Sequence, residues 1–342
     1  MRFSIIIPVY NVEKYIERCM QSVMEQTFRD YEVIVVDDES PDRSMDIVAR
    51  WAEKYPGMVT MLHQKNTRQG GARNHGLAHA RGDYVLFVDS DDYVSPRMLE
   101  TVEQRLKQVP CDILVFRNQP VTPGGEPISQ LWQEDLTLGI PHCPDKEPGV
   151  VLLPCGPANK AIRRELLERL QFRFPEKVLY EDGVTRLLYA AADSICCWED
   201  VLYYYVIRED STMRQKISPR MTDILTVTDL VLAEFRRTGL YETFRQPLEV
   251  SLIYSILCVL ELINGTQPGS SIQVPLADYL TQNFPGIREN PWAPAELLRE
   301  LQCLGQHRFR WYHLRYLKLN RFKDRLIQIP LLGRLRELRR RT

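Results

Sequence analysis

Two hydrophobic rhythms alternate along the first 116 residues. Short apolar runs have the length and β-branched content of buried strands: SIIIPVY at 4–10, EVIVVDD at 32–38, MVTMLHQ at 58–64, YVLFV at 84–88 and CDILVF at 111–116. Between them, apolar residues recur at helical spacing. Tyr15, Ile16, Cys19, Met20, Val23 and Met24 mark one helix, and Ile47, Val48, Trp51, Ala52 and Tyr55 a second. Another helix is predicted over 71–80, and one more opening at Ser95-Pro96, with Ser95 as N-cap and Pro96 at the first helical position. Strands alternating with single helices predict an α/β fold, a mostly parallel sheet covered by helices on both faces.

The pattern then changes. Residues 119–158 are rich in proline and glycine with weak periodicity, which predicts an irregular excursion. Helical segments are expected at 161–170 and 183–192, followed by the strand-like ICCW and VLYYYV. From Ser218 onward the spacing is helical throughout, giving an expected division into a domain over 1–215 and a helical region over 216–342. The apolar stretch VSLIYSILCVL at 250–260 is shorter than a bilayer span and reads as a buried helix.

Charge changes the picture at the C-terminal end alone. The chain has a net charge of -1, yet residues 306–342 hold 12 Lys and Arg against Asp324 and Glu337. The eight cysteines show no CxxC pair, and neither they nor the six histidines fall at metal-ligand spacing. They are expected to be reduced, mostly buried thiols in a cytoplasmic protein. No secretion signal is visible at MRFSIIIPVYN, where Pro8 interrupts the short apolar run.

In parallel sheets, ligands gather where strands stop. Here those places read Pro8-Val9-Tyr10-Asn11, Asp37-Asp38 and Asp89-Ser90-Asp91-Asp92. Three carboxylates within four positions repel, by about 1 kcal/mol per close pair in water and several times more where water is excluded. In an extended segment Asp89 and Asp91 would face the same side, and Mg²⁺ or Mn²⁺ with substrate phosphates would offset their charge. The alternative is a solvated acidic turn ahead of the helix near Ser95. Asp37-Asp38 can accept hydrogen bonds from a base or ribose, or can favour a helix N-terminus. In NTRQGGARNHG, Gly70 and Gly71 permit close approach of backbone to a ligand, and Arg68 or Arg73 can pair with phosphate. A plain helix start with surface arginines reads equally well. Glu181-Asp182 in LYEDG can supply a general base or cap the helix that follows.

Taken in order, SIIIPVYN, VIVVDDES, GGARNHGLAHARGDYVLFVDSDD and YEDG closely resemble glycosyltransferase family 2. The likeness runs over residues 3–118 and resumes over 155–212. It implies the GT-A fold, a Rossmann-like sheet flanked by helices with a C-terminal helical extension. It also implies an inverting transfer from a nucleotide-sugar, most simply a UDP-sugar, with Mn²⁺ or Mg²⁺ as cofactor. By the resemblance, Pro8 and Tyr10 line the uracil pocket, and Asp38 accepts from the uracil ring nitrogen. Gly71 and Arg73 lie near the base or diphosphate. Asp89 and Ser90 belong to the donor site, with Asp89 reaching the ribose or metal shell, and Asp91 ligates the metal. Asp182 is the general base. Asp92 has no family role and is expected to support the metal ligand or the acceptor. Lys160, after Asn159, is a possible phosphate contact, although Pro157-Ala158 stands where an aromatic usually precedes that pair. Arg208 and Ser211 are placed near the diphosphate.

The expected partners are the UDP-sugar donor and a glycan or lipid-linked acceptor in bacterial surface polysaccharide synthesis. The basic, aromatic tail HRFRWYHLRYLKLNRFKDRLIQ suits an anionic membrane surface better than nucleic acid, because the main body is acidic. A packed, solvated helix remains open for it. A catalytically inactive nucleotide-sugar-binding subunit is the rival function. A nucleotidyltransferase is disfavoured, because PVYNVEKYIE stands where its glycine-rich basic loop would follow the first strand.

Overall fold

A computed structural model of the chain describes residues 1–128, 138–208, 217–267 and 270–305. The described chain forms two compact units. One holds residues up to Lys146 and those from Cys155 through the end of the last strand; the other gathers Glu147–Pro154 with the helices beyond residue 217.

The first unit is built on one nine-stranded sheet. In chain order its elements are β1 (Phe3–Val9), α1 (Ile16–Met24), β2 (Tyr31–Asp37), α2 (Ser44–Lys54), β3 (Val59–His63), α3 (Arg68–Leu77), β4 (Tyr84–Phe87), β5 (Tyr93–Val94), α4 (Met98–Gln108), β6 (Ile113–Val121), β7 (Pro141–His142), β8 (Lys160–Arg163), α5 (Arg164–Arg169), α6 (Thr185–Ala191) and β9 (Ile195–Val206). The strand order is β3-β2-β1-β4-β8-β6-β9-β5, with β7 on β9. β1, β2, β3 and β4 run parallel, as does the pair β6/β9, while β8, β5 and β7 join antiparallel.

Central strands here are apolar on both faces because both faces are covered. Every residue of β1 is buried, and α1 turns Ile16, Cys19, Met20, Val23 and Met24 into the same core. Full burial of one such side chain stabilises by about 1.5–3 kcal/mol relative to exposure. Register then fixes the functional edge. Val9 lies opposite Asp37, and Ile6 opposite Phe87, so β1, β2 and β4 stop at one edge of the sheet. The Asp38 N–H donates to Val9 O (3.0 Å) and the Val88 N–H to Ile6 O (3.0 Å), which binds the three strand ends together.

Several local expectations need correction. The helix expected at 161–170 is instead β8 followed by the short α5. KAIR is drawn into the sheet because its slot between β4 and β6 is buried, which outweighs the helical period that RRELLERL carries through it. The expected helix at 183–192 starts as a 3-10 turn, Glu181–Val184, and becomes α-helical at Thr185. ICCW and VLYYYV are one strand, β9. Helix α4 begins at Met98, not at Ser95-Pro96, and has no side-chain cap; the Ser95 hydroxyl instead accepts the Arg97 N–H (3.3 Å).

The second unit is helical: α7 (Asp223–Arg237), α8 (Tyr241–Thr266), α9 (Gln273–Asn283) and α10 (Ala295–Gly305), with a 3-10 turn at Pro148–Leu152. Part of the proline-rich excursion therefore belongs here, where Val151 O accepts the Ser251 hydroxyl (3.1 Å). The apolar stretch at 250–260 lies inside α8. Over Tyr241–Ile263 that helix is long and apolar enough to cross a membrane by length and composition, and 67% of its apolar window is buried in protein. The basic tail beyond residue 305 and Ser211 lie outside the described residues.

Candidate active site

The ends of the strands carry unusual backbone. Asn11, Glu39, Arg68 and Tyr180 have positive φ, at 55°, 60°, 67° and 64°. Each sits in one of the quoted motifs, after β1, after β2, at the start of α3 and before Glu181. A non-glycine residue in this region costs of order 1 kcal/mol or more, and such residues collect where side chains must be aimed.

The DSDD segment is a tight turn, not the extended segment expected from the sequence. The Asp92 N–H donates to Asp89 O (3.0 Å), and burial of Asp92 drives the bend. Asp92 Oδ2 accepts the Tyr203 hydroxyl (2.7 Å) and Oδ1 the Val206 N–H (2.7 Å). Tyr203 in turn accepts the Asp89 N–H (3.1 Å). Asp92 is therefore the anchor of the turn, fastened to β9. Burial, with Asp91 and Asp89 beside it, pushes its carboxyl well above the ordinary range.

Arg73 on α3 is the centre of the site. It is 1% exposed and reaches three carboxylates. Nη2 donates to Asp89 Oδ1 (2.9 Å), and Nη1 to Glu181 Oε1 (3.0 Å) and Asp182 Oδ1 (2.8 Å). Phe174 packs beneath, 5.3 Å from the guanidinium carbon to the ring centroid. The resemblance puts Arg73 near the base or diphosphate; in the structure its guanidinium joins the DSDD turn to the YEDG turn. The close approach depends on Gly70, where a Cβ would fall 2.1 Å from Pro175 O. A Cβ at the neighbouring Gly71 would fall 2.0 Å from Thr67 Oγ1, so its smallness also serves the packing against Thr67.

The three acids differ in their surroundings. Burial, together with Asp182, pushes Glu181 up to about 7. Burial also raises Asp182, an effect that Arg73 opposes. Asp182 keeps 36% of its side chain exposed, whereas Glu181 keeps 9%. Asp182 is thus the acid open to an incoming group, and Glu181 the buried one behind it. Neither caps α6, which has no side-chain cap, so the capping alternative is not met.

The surroundings of Asp91 and Asp89 decide whether they fit a divalent ion. Asp89 Oδ1 also accepts from Gln69 Nε2 (2.6 Å), and Arg208 Nε lies 2.8 Å from Asp91 Oδ2. These contacts engage one oxygen of each carboxylate. Among the described residues no group of three or more His, Cys, Asp or Glu side chains forms a cage. Two carboxylates with a remaining oxygen each fit a hard divalent ion whose shell is completed by substrate phosphates, and do not fit a closed structural site. Burial and Asp89 raise the Asp91 carboxyl, with Arg208 opposing, so a cation here removes a real electrostatic cost.

At the end of β2, Asp38 is buried, and its Oδ1 accepts Gln64 Nε2 (2.8 Å) and the Thr67 N–H (2.9 Å). Asp37 Oδ2 pairs with His63 Nδ1 (2.8 Å). Pro8 is buried within β1 opposite Val36, while Tyr10 is 51% exposed beyond the strand. Ser90 is buried in the DSDD turn. Lys160 is not placed as a phosphate contact. It is fully buried, donating to Gly156 O (2.6 Å) and to Asn159 Oδ1, and so fixes the loop whose Gly156 faces Asp182. Sequence reasoning missed Gln69 and Tyr203. Gln69 sits within the motif TRQGG, and Tyr203 lies among three consecutive tyrosines at the end of β9, which is a detectable if weak signal.

Known proteins resemble the chain in sequence and in fold. Residues 4–171 match the family model Glycosyl transferase family 2. The poly(ribitol-phosphate) beta-glucosyltransferase of Bacillus spizizenii is 34% identical over 215 residues, which are 61% of this chain and 33% of that protein. This chain thus spans about a third of that relative's length. The uncharacterized glycosyltransferase EpsJ of Bacillus subtilis is 29% identical over 311 residues, covering 86% of this chain and 89% of that one. The crystal structure of S. aureus TarS 1–349 in complex with UDP-GlcNAc superposes with a TM-score of 0.62 at 24% identity, over 84% of this chain and 91% of that one. The motifs, the sheet and these matches converge: residues 4–171 of the chain belong to glycosyltransferase family 2, and the fold is GT-A.

Proposed function

We propose that the chain moves a sugar from a UDP-sugar to a hydroxyl of a glycan or lipid-linked acceptor in bacterial surface-polysaccharide synthesis, with inversion at the anomeric carbon. The observation that carries this reading is the single guanidinium of Arg73, which holds the strand-end acid Asp89 and the accessible acid Asp182 in one site. The relative that acts on poly(ribitol-phosphate) supports a cell-surface polymer as acceptor, and the TarS complex with UDP-GlcNAc supports a UDP-sugar donor.

In the reaction, the acceptor oxygen bonds to the anomeric carbon as the bond from that carbon to the diphosphate oxygen breaks. The acceptor proton passes to Asp182, whose exposed side admits the hydroxyl. Attack opposite the leaving group turns an α-linked donor into a β-linked product. Asp38, with Pro8 and Tyr10 near it, receives the uracil end, and Asp89 and Ser90 the ribose and diphosphate end. Asp91 and Asp89 would hold Mn²⁺ or Mg²⁺, which when bound supplies positive charge to the departing diphosphate. Arg73 keeps Asp182 in place and favours its ionised form against the effect of burial. We place the reaction at the cytoplasmic face of the membrane, with the basic tail as the surface contact.

UDP release from a panel of UDP-sugars tests the reading. Asp182→Asn should lower the rate about 10²–10⁴-fold, the usual range for a general base, with UDP affinity unchanged. An unchanged rate removes Asp182 from the chemistry. UDP binding with no release from any donor in the unsubstituted protein favours the inactive subunit instead.

A further inference from the structure

The acids of the DSDD turn are each answered from within the protein. Arg73 answers Asp89, and the Tyr203 hydroxyl and Val206 N–H answer Asp92. The remaining charge, on Asp91, faces Arg208: Nε lies 2.8 Å from Oδ2, in a place where the two side chains are 21% and 15% exposed. The Tyr15 ring lies beside the guanidinium, 5.2 Å from its carbon to the ring centroid. Tyr15 thus offers an aromatic face that favours a cation at this position.

We propose that Arg208 is the resident counter-ion of Asp91, and that guanidinium and divalent ion occupy this carboxylate alternately. The proposal rests on the reading of Asp91 as a metal ligand. A divalent ion on the remaining oxygen of Asp91 would lie within about 5 Å of the guanidinium, and two cations that close repel strongly where solvent is partly excluded, so binding of the ion drives Arg208 away. The main chain beside it is fixed. The Val206 N–H is held by Asp92, and the Ile207 N–H donates to Val121 O (2.8 Å). The exchange is therefore a side-chain rotation about an anchored strand end. A diphosphate arriving with the ion gives the displaced guanidinium new oxygens to pair with. Ion and diphosphate consequently bind with positive coupling, and linkage makes the effect reciprocal.

The test is titration of the full chain with Mn²⁺, followed by electron paramagnetic resonance of the free ion, with and without UDP. If Arg208 holds Asp91 in about nine molecules of ten, it weakens metal binding about tenfold. Arg208→Met should then bind Mn²⁺ alone about tenfold more tightly than the unsubstituted chain, with a smaller further gain from UDP. Arg208→Lys should stay near the unsubstituted value. Tyr15→Leu, which removes the aromatic face and leaves every charge in place, should shift affinity in the same direction as Arg208→Met. It carries the test if Arg208→Met does not fold. Binding by these variants no tighter than that of the unsubstituted chain overturns the exchange. In that event, loss of Mn²⁺ binding in Asp91→Asn shows that the metal reading still stands. If Asp91→Asn binds as before, or no variant binds Mn²⁺ even with UDP, both fail.

Discussion

Glu181→Gln isolates the electrostatics of the acidic pair. The exchange keeps the shape and an acceptor oxygen for Arg73, and removes only the charge. In the fold, burial and Asp182 push the Glu181 carboxyl from its ordinary 4.5 up to about 7. At about 1.4 kcal/mol per tenfold change in proton affinity, ionising it inside the protein costs about 3 kcal/mol. The folded form binds the proton more tightly than the unfolded chain, so this cost grows as pH rises from 4.5 and is complete above about 7. Glu181→Gln should therefore be more stable than the unsubstituted protein by up to about 3 kcal/mol at pH 8.5, and by under about 1 kcal/mol at pH 5. Equilibrium urea unfolding of both proteins at the two pH values measures the difference. A gap that stays flat with pH, or a variant less stable at pH 8.5, refutes the reasoning.

The anchor of the DSDD turn can be tested with Tyr203→Phe. It strips a partner from buried Asp92 and from the Asp89 N–H, and should cost about 1–3 kcal/mol in unfolding free energy. A neutral result would leave the turn without the support assigned to it. Gly70→Ala places a Cβ 2.1 Å from the carbonyl oxygen of Pro175, which must move. Overpacking of this kind costs about 1–3 kcal/mol. Because α3 carries Arg73, transfer activity should fall with it, and a variant of full stability and full rate would contradict the close packing.

The strand ends were legible in the sequence because their signals are local. An apolar run that stops in Asp, Asn or Ser marks both the strand and the place where ligands gather, and parallel register then aligns Val9, Asp37 and Phe87 without further information. The helical face of α1 was legible for the same reason. What joins the ends was not. Arg73 meets Glu181 across 108 positions, and Tyr203 meets Asp92 across 111. Nothing near Arg73 in the chain separates an arginine that will grip phosphate from one that will be buried among carboxylates. The difference is made by α3 pressing on the segment around Pro175. Likewise KAIR reads as the start of a helix until a buried slot in the sheet claims it. Asp92 could be assigned nothing beyond support of the metal ligand or the acceptor, because its burial depends on β9, which is brought beside it only by the complete sheet.

The most direct measurement of the central claim is a crystal structure of the chain soaked with UDP and Mn²⁺. The account predicts the diphosphate and ion at Asp91 and Asp89, the uracil beside Asp38, and Asp182 facing the empty sugar position with Arg73 still bridging it to Asp89. Nucleotide lodged away from the DSDD turn, or diphosphate bound there with Arg73 turned toward it and released from Asp182, would contradict it.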